Sequence, residues 1–202
     1  MKIMSLIISV ALLSVSSFAR ADGEAVFGLN WGMSPEEVKS SGTILVLKNK
    51  SGNLYIYRAE SLPKNIKDAR YYTLVFNNNK DLVKIIMFGE TITNDFSGDK
   101  GKIRFGKISM ALSKKYKVIK SITEVGIRTY NEDDEFYQCL AYKGCGLWIT
   151  MFSGENKNIT LQLNGLEKGK GFIDIRAEAV PEWDQATGKG TPATIVDSSE
   201  AL

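Results

Sequence analysis

The sequence predicts an α+β fold, an antiparallel sheet packed against two helices, and three observations carry that prediction. Ser34-Pro35-Glu36-Glu37 has the residues of a helix start, short runs of β-branched and aromatic residues recur between turn residues, and Phe105, Ile108, Leu112 and Tyr116 repeat at helical spacing. The order helix, strands, helix, strands suggests a duplicated α-β-β-β unit, with halves 22–97 and 98–183 inside a single domain, 22–183.

Each element has a local cause. Ser34 can cap the first helix, Pro35 suits its first position, and Glu37 completes a capping box, while Glu36 and Glu37 favour the positive end of the helix. Gly42 supplies its stop. Strands are expected over 43–48, 53–59, 70–76 and 82–88, the last two joined by the turn-forming run 77–81. The stripe from Phe105 to Tyr116 then makes a second helix, which Gly106 weakens. Strands resume at 125–130, 135–142, 147–152, 158–163 and 172–177. Ile159, Leu161 and Leu163 alternate with polar neighbours, as in a sheet with one buried and one wet face. From Pro181 the composition turns to small and polar residues, and 184–202 reads as a flexible tail.

Residues 1–21 read as a cleavable signal peptide, with Lys2 ahead of an apolar run and Ala19-Arg20-Ala21 as the cleavage motif. That run is too short to span a bilayer, and no cysteine follows the motif to carry a lipid, so a soluble periplasmic protein is expected. Loss of Lys2 and Arg20 leaves 24 basic against 23 acidic residues, a balance that argues against a nucleic-acid partner. Export makes the pair Cys139 and Cys145 readable as a structural disulfide, since the spacing is too wide for CxxC redox chemistry.

Phe27-Gly28-Leu29-Asn30-Trp31-Gly32-Met33-Ser34-Pro35-Glu36-Glu37-Val38, placed after a signal peptide, resembles the opening of a group of bacterial periplasmic proteins with a W-G-M-S-x-x-x-V start. Its G-M-S-x-x-x-V core is also similar to the first-helix signature of outer-membrane-assembly lipoproteins of the SmpA/BamE type, whose α+β fold recurs in β-lactamase-inhibitor proteins. This chain departs from the lipoproteins in lacking the acylated cysteine. The resemblance implies a two-layer envelope protein that binds other macromolecules, with no catalytic residues to carry over.

Two features bear on binding. Trp31 reads either as a staple that packs into the core or as an exposed anchor for a partner. Lys100, Lys102, Arg104, Lys107, Lys114, Lys115, Lys117 and Lys120 form a basic run with no acid among them. On a helix, Lys100, Arg104, Lys107, Lys114 and Lys115 would share one broad face beside the apolar stripe. That face is either a solvated lysine surface or a surface for an anionic partner. Glu132-Asp133-Asp134-Glu135 reads as a hairpin tip, and it lacks the alternating ligand positions and turn glycine of a calcium loop, so no metal site is expected.

The absence of histidine excludes Ser-His-Asp, Cys-His and histidine–zinc chemistry, and the G-x-S-x-G and S-x-x-K motifs of serine enzymes are missing. The glycine-rich runs at 165–171 and 188–191 do not have phosphate-loop spacing. The expectation is therefore a non-enzymatic periplasmic binding or accessory protein without cofactor. Its partner would be an envelope protein or other anionic molecule. The alternative is an inhibitor or immunity protein that blocks a hydrolytic enzyme acting on the envelope.

Overall fold

The capping box at Ser34 is formed in the computed structural model of the chain, which describes residues 23–126, 129–180 and 187. Ser34 Oγ accepts the Glu37 N–H at 3.2 Å and Glu37 Oε2 accepts the Ser34 N–H at 2.7 Å, starting helix α1, Pro35–Ser40. The expected signal peptide, 1–21, and all of the tail, 184–202, except Thr187 lie outside the described residues.

Strands β1 (Val46–Ser51), β2 (Leu54–Ala59), β3 (Ala69–Phe76) and β4 (Leu82–Gly89) follow α1. After them come α2 (Asp99–Ser113), β5 (Lys117–Glu124), α3 (Phe136–Ala141), β6 (Leu147–Gly154), β7 (Lys157–Glu167) and β8 (Lys170–Ala179). Among the described residues, the strands form a single eight-stranded antiparallel sheet in the order β1-β2-β3-β4-β8-β7-β6-β5. Among the described residues, one sheet with three helices agrees with the α+β expectation.

Three assignments differ from those read in the sequence. The run 135–142 is helical, because Phe136, Tyr137 and Cys139 bury at helical spacing, a pattern masked by its aromatic content. The strand expected at 125–130 is replaced by β5, which lies earlier; Ile127 and Arg128 are outside the described residues. Lys117 and Lys120 consequently belong to a strand and the basic run is split between two elements.

The sheet has two unlike faces. Tyr72, Leu74, Ile85, Met87, Ile175, Leu161 and Phe152 point to one side and are buried. Helices α2 and α3 lie there: Cβ atoms added at Gly165 or Gly171, which share the parity of Leu163 and Ile173, would strike Tyr137 of α3, and Gly101 of α2 faces Leu163. The other face carries Arg58, Thr73, Ile86, Arg176 and Thr160 in cross-strand succession, all half-buried. Both edge strands are blunted in the same way, by a register shift at the third residue and by lysines: Lys48 and Lys50 on β1, Lys117 and Lys120 on β5.

Trp31 is 2% exposed and belongs to the core, which removes it from any partner surface. Gly32 beside it turns with φ +75°, and its N–H donates to the Leu82 carbonyl, tying the segment to the start of β4. Trp148 is half-buried, its ring 5.4 Å from that of Phe136.

Cys139 and Cys145 form the disulfide that the sequence implies, tying α3 to the turn that follows it. In unfolding titrations, Cys139→Ser is expected to lower stability by about 2 kcal/mol with the fold retained. Free reaction of both thiols with an alkylating reagent under native, non-reducing conditions would exclude the bond.

Candidate functional site

Helix α2 is held by a buried carboxylate. Asp95, 4% exposed, accepts the Lys100 N–H through Oδ1 at 3.0 Å, and through Oδ2 the Gly101 N–H at 2.9 Å and the Tyr137 hydroxyl at 2.7 Å. Burial alone would raise its pKa, but these bonds prevail and hold it below the ordinary carboxylate value. Burial together with the Asp95 charge pushes the Tyr137 hydroxyl well above its usual range, so it stays a neutral donor. The helix start is thereby locked to α3.

On that base α2 turns Phe105 inward, 5% exposed, with Ile108 and Leu112 half-buried beside it, as the stripe predicts; Tyr116, expected on the same stripe, lies past the end of the helix but packs on the same core. Lys100, Arg104 and Lys107, one turn apart, line a cavity of about 480 Å³ with Asp68, Thr93 and Ile103. Lys100 Nζ donates to the carbonyls of Asn94 at 3.0 Å and Thr93 at 3.3 Å, and Arg104 Nε lies 3.5 Å from Asp68 Oδ2. In the lining, three cations against one carboxylate give the cavity a positive field able to hold an anionic group.

Lys114 and Lys115 do not reach the cavity. Lys114 is the C-cap of α2, about 20 Å along the axis from Lys100, and both side chains are exposed. Lys102 serves the fold instead: its Nζ donates to the Ser97 carbonyl at 2.7 Å and sits 4.4 Å from the centre of the Phe136 ring. Asp68 comes from a turn some thirty residues before α2, and Thr93 from the segment that leads into the helix; neither carries a sequence pattern that marks it. Among the described residues, no three His, Cys, Asp or Glu side chains gather as a metal site.

The sheet face opposite α2 and α3 carries a second cluster. The Arg58 guanidinium lies 4.2 Å from the centre of the Tyr71 ring, which stacks on Phe88 at 4.7 Å, and Phe172 follows at 6.3 Å. Next to it Asp174, 2% exposed, accepts Arg176 Nη2 at 2.6 Å and Nε at 3.0 Å through Oδ2. Its Oδ1, Gln162 Oε1 and Asn164 Nδ2 have no hydrogen-bond partner among the described residues. Burial raises the Asp174 pKa against the opposing pull of Arg176, Asn164 and Lys84. Asn164 eases the charge from nearby without meeting hydrogen-bond geometry.

A carboxyl whose folded pKa is raised stabilises the fold fully below its unfolded value, near 3.8, and loses that contribution as pH rises through the folded value. The stability difference between the native chain and Asp174→Asn should therefore shift in favour of the native chain as pH falls from 7 towards 4. Denaturant midpoints at several pH values measure it, and a constant difference would refute the raised value.

Comparisons with known proteins give no match to any family model, curated protein or solved structure.

Proposed function

We propose that this is an exported, non-enzymatic binding or accessory protein of the cell envelope that recruits an anionic macromolecular partner along α2. The observation that carries this reading is the gathering of Lys100, Arg104 and Lys107 on one cavity in whose lining Asp68 is the one acid. The disulfide is compatible with an oxidising compartment, and no helix among the described residues is long and apolar enough to cross a membrane. A concentrated positive field on a nearly neutral chain speeds encounter more than it tightens the final complex.

Affinity capture from periplasmic extract, followed by association kinetics with the captured partner, tests this. The triple variant Arg104→Glu, Lys107→Glu, Lys114→Glu should associate about tenfold more slowly at low salt, with the difference closing above about 0.15 M, where the screening length is about 8 Å. Circular dichroism should not change, because Phe105, Ile108 and Leu112 keep the helix docked. An unaltered rate would leave these cations as a solvated surface.

The sheet face opposite α2 and α3 favours a second reading, that of an inhibitor or immunity protein. The strand order supports regarding β1–β4 and β5–β8 as two duplicated halves, each preceded by a helix, meeting at the β4–β8 pair. Each half then holds four strands rather than three. A broad face bearing Arg58, Tyr71, Phe88 and Phe172 suits closure over an enzyme's cleft. Loss of a captured hydrolase's activity on addition of the mature chain would select this reading over the accessory role.

A further inference from the structure

Helix α2 exposes what a solvated helix normally hides. Ile103 and Met110, seven residues apart, are 61% and 66% exposed, and Gly106 lies between them on the same stripe. A glycine inside an exposed helix weakens it relative to alanine. Gly101 has a use within the fold, since a Cβ there would strike the Tyr137 hydroxyl; at Gly106 a Cβ would meet nothing within 4 Å. The fold thus carries the weakness of Gly106 without any internal return.

Along the same stripe Lys100, Lys107 and Lys114 recur every seven residues, interleaved with Ile103 and Met110. Lysine and apolar positions alternating in steps of three and four form the seam by which one helix packs on another. Asp99 is the only acid from residue 99 to residue 120. A glycine at the centre of such a seam lets a second backbone approach closely, while the lysines above and below it call for carboxylates opposite.

Resting on the binding reading above, we propose that the stripe Ile103–Gly106–Met110 seats an acidic amphipathic helix of a partner protein. Its apolar side chains would pack on Ile103 and Met110 across Gly106, and its carboxylates would face Lys100, Lys107 and Lys114. A second copy of this chain fits poorly, because antiparallel pairing of the stripe with itself would set lysines against lysines. The fifteen residues of α2 give a seat about 22 Å long, enough for three turns or more of a partner helix.

The test places a photo-crosslinking residue at Met110 of the full chain in its native envelope, with exposed Asn78 as the background position. The expected adduct joins Met110 to a helical segment of one protein whose apolar stripe is flanked by Glu or Asp. Lys107→Glu with Lys114→Glu, or Gly106→Gln alone, should reduce its yield about tenfold. Gly106→Gln should not lower the melting temperature, because glutamine is the better helix former, so loss of the adduct cannot be loss of fold. An adduct to lipid, to a second copy or to a non-helical or basic segment overturns the proposal. So does a yield no higher than at Asn78, or one indifferent to Gly106→Gln. The wider binding reading survives any of these results if charge reversal still slows partner association, and fails if it does not.

Discussion

Gly165→Ala is expected to destabilise the protein by about 3 kcal/mol, the upper end of what overpacking a close contact does. The added Cβ would overlap the carbonyl oxygen of Tyr137 and lie 2.7 Å from the Ala141 nitrogen and 2.8 Å from the Tyr137 carbonyl carbon. These are backbone atoms of α3, which no rotamer change can move aside. The helix is also tethered at Cys139 and held by Tyr137, so it cannot retreat without disturbing both. A fall in urea midpoint with little change in slope is the expected signature. A loss below about 1 kcal/mol would mean that α3 sits further from β7 than the structure places it.

Asp95→Ala should be comparably damaging, at about 3 kcal/mol, because one substitution orphans the Lys100 and Gly101 N–H groups and the buried Tyr137 hydroxyl. Tyr137→Phe alone removes one of the three donors and should cost about 1 to 2 kcal/mol. Once Asp95 is gone the hydroxyl has lost its acceptor, so the double variant should be at least about 1 kcal/mol less damaged than the sum of the single ones. Additive losses would show that Tyr137 contributes only its ring. The native chain's advantage over Asp95→Asn should also shrink in acid: a carboxylate with lowered folded pKa stabilises above its unfolded value near 3.8 and loses that as pH falls through the folded one.

Much of this architecture was legible in the residues. Ser34 and Glu37 announce α1 because a capping box is local chemistry, and the alternation at Ile159, Leu161 and Leu163 follows directly from the pleat of a half-buried strand. Helix α3 was not legible, since Phe136 and Tyr137 favour strands in isolation. What makes them helical is the room left by Gly165 and Gly171, on strands some thirty residues away. Part of the candidate site could be read as well: Lys100, Arg104 and Lys107 follow from spacing on a helix, whereas Asp68 and Thr93 depend on how loops fold back. Ile103 and Met110 were hidden for a different reason. Apolar residues on a helix are expected to face inward, and only the seven-residue interval they share with the lysines marks the stripe as a separate seam.

Strand β8, residues Lys170–Ala179, pairs with β4 on one side and β7 on the other, yet it is the last strand of the sheet to be made. While the chain emerges from its N-terminus, β1 to β4 can assemble from sequence neighbours, and so can β5 to β7, but nothing joins them. Until residue 179 arrives, β4 and β7 each present a bare strand edge, with Leu82, Ile85 and Met87 of β4 not yet sealed into a common core. The interval of greatest vulnerability is thus timed by delivery of the final strand rather than by how fast either half folds. A chain stopped short of Lys170 would hold two sheets with sticky inner borders, exposed to mispairing and proteolysis for as long as it persisted.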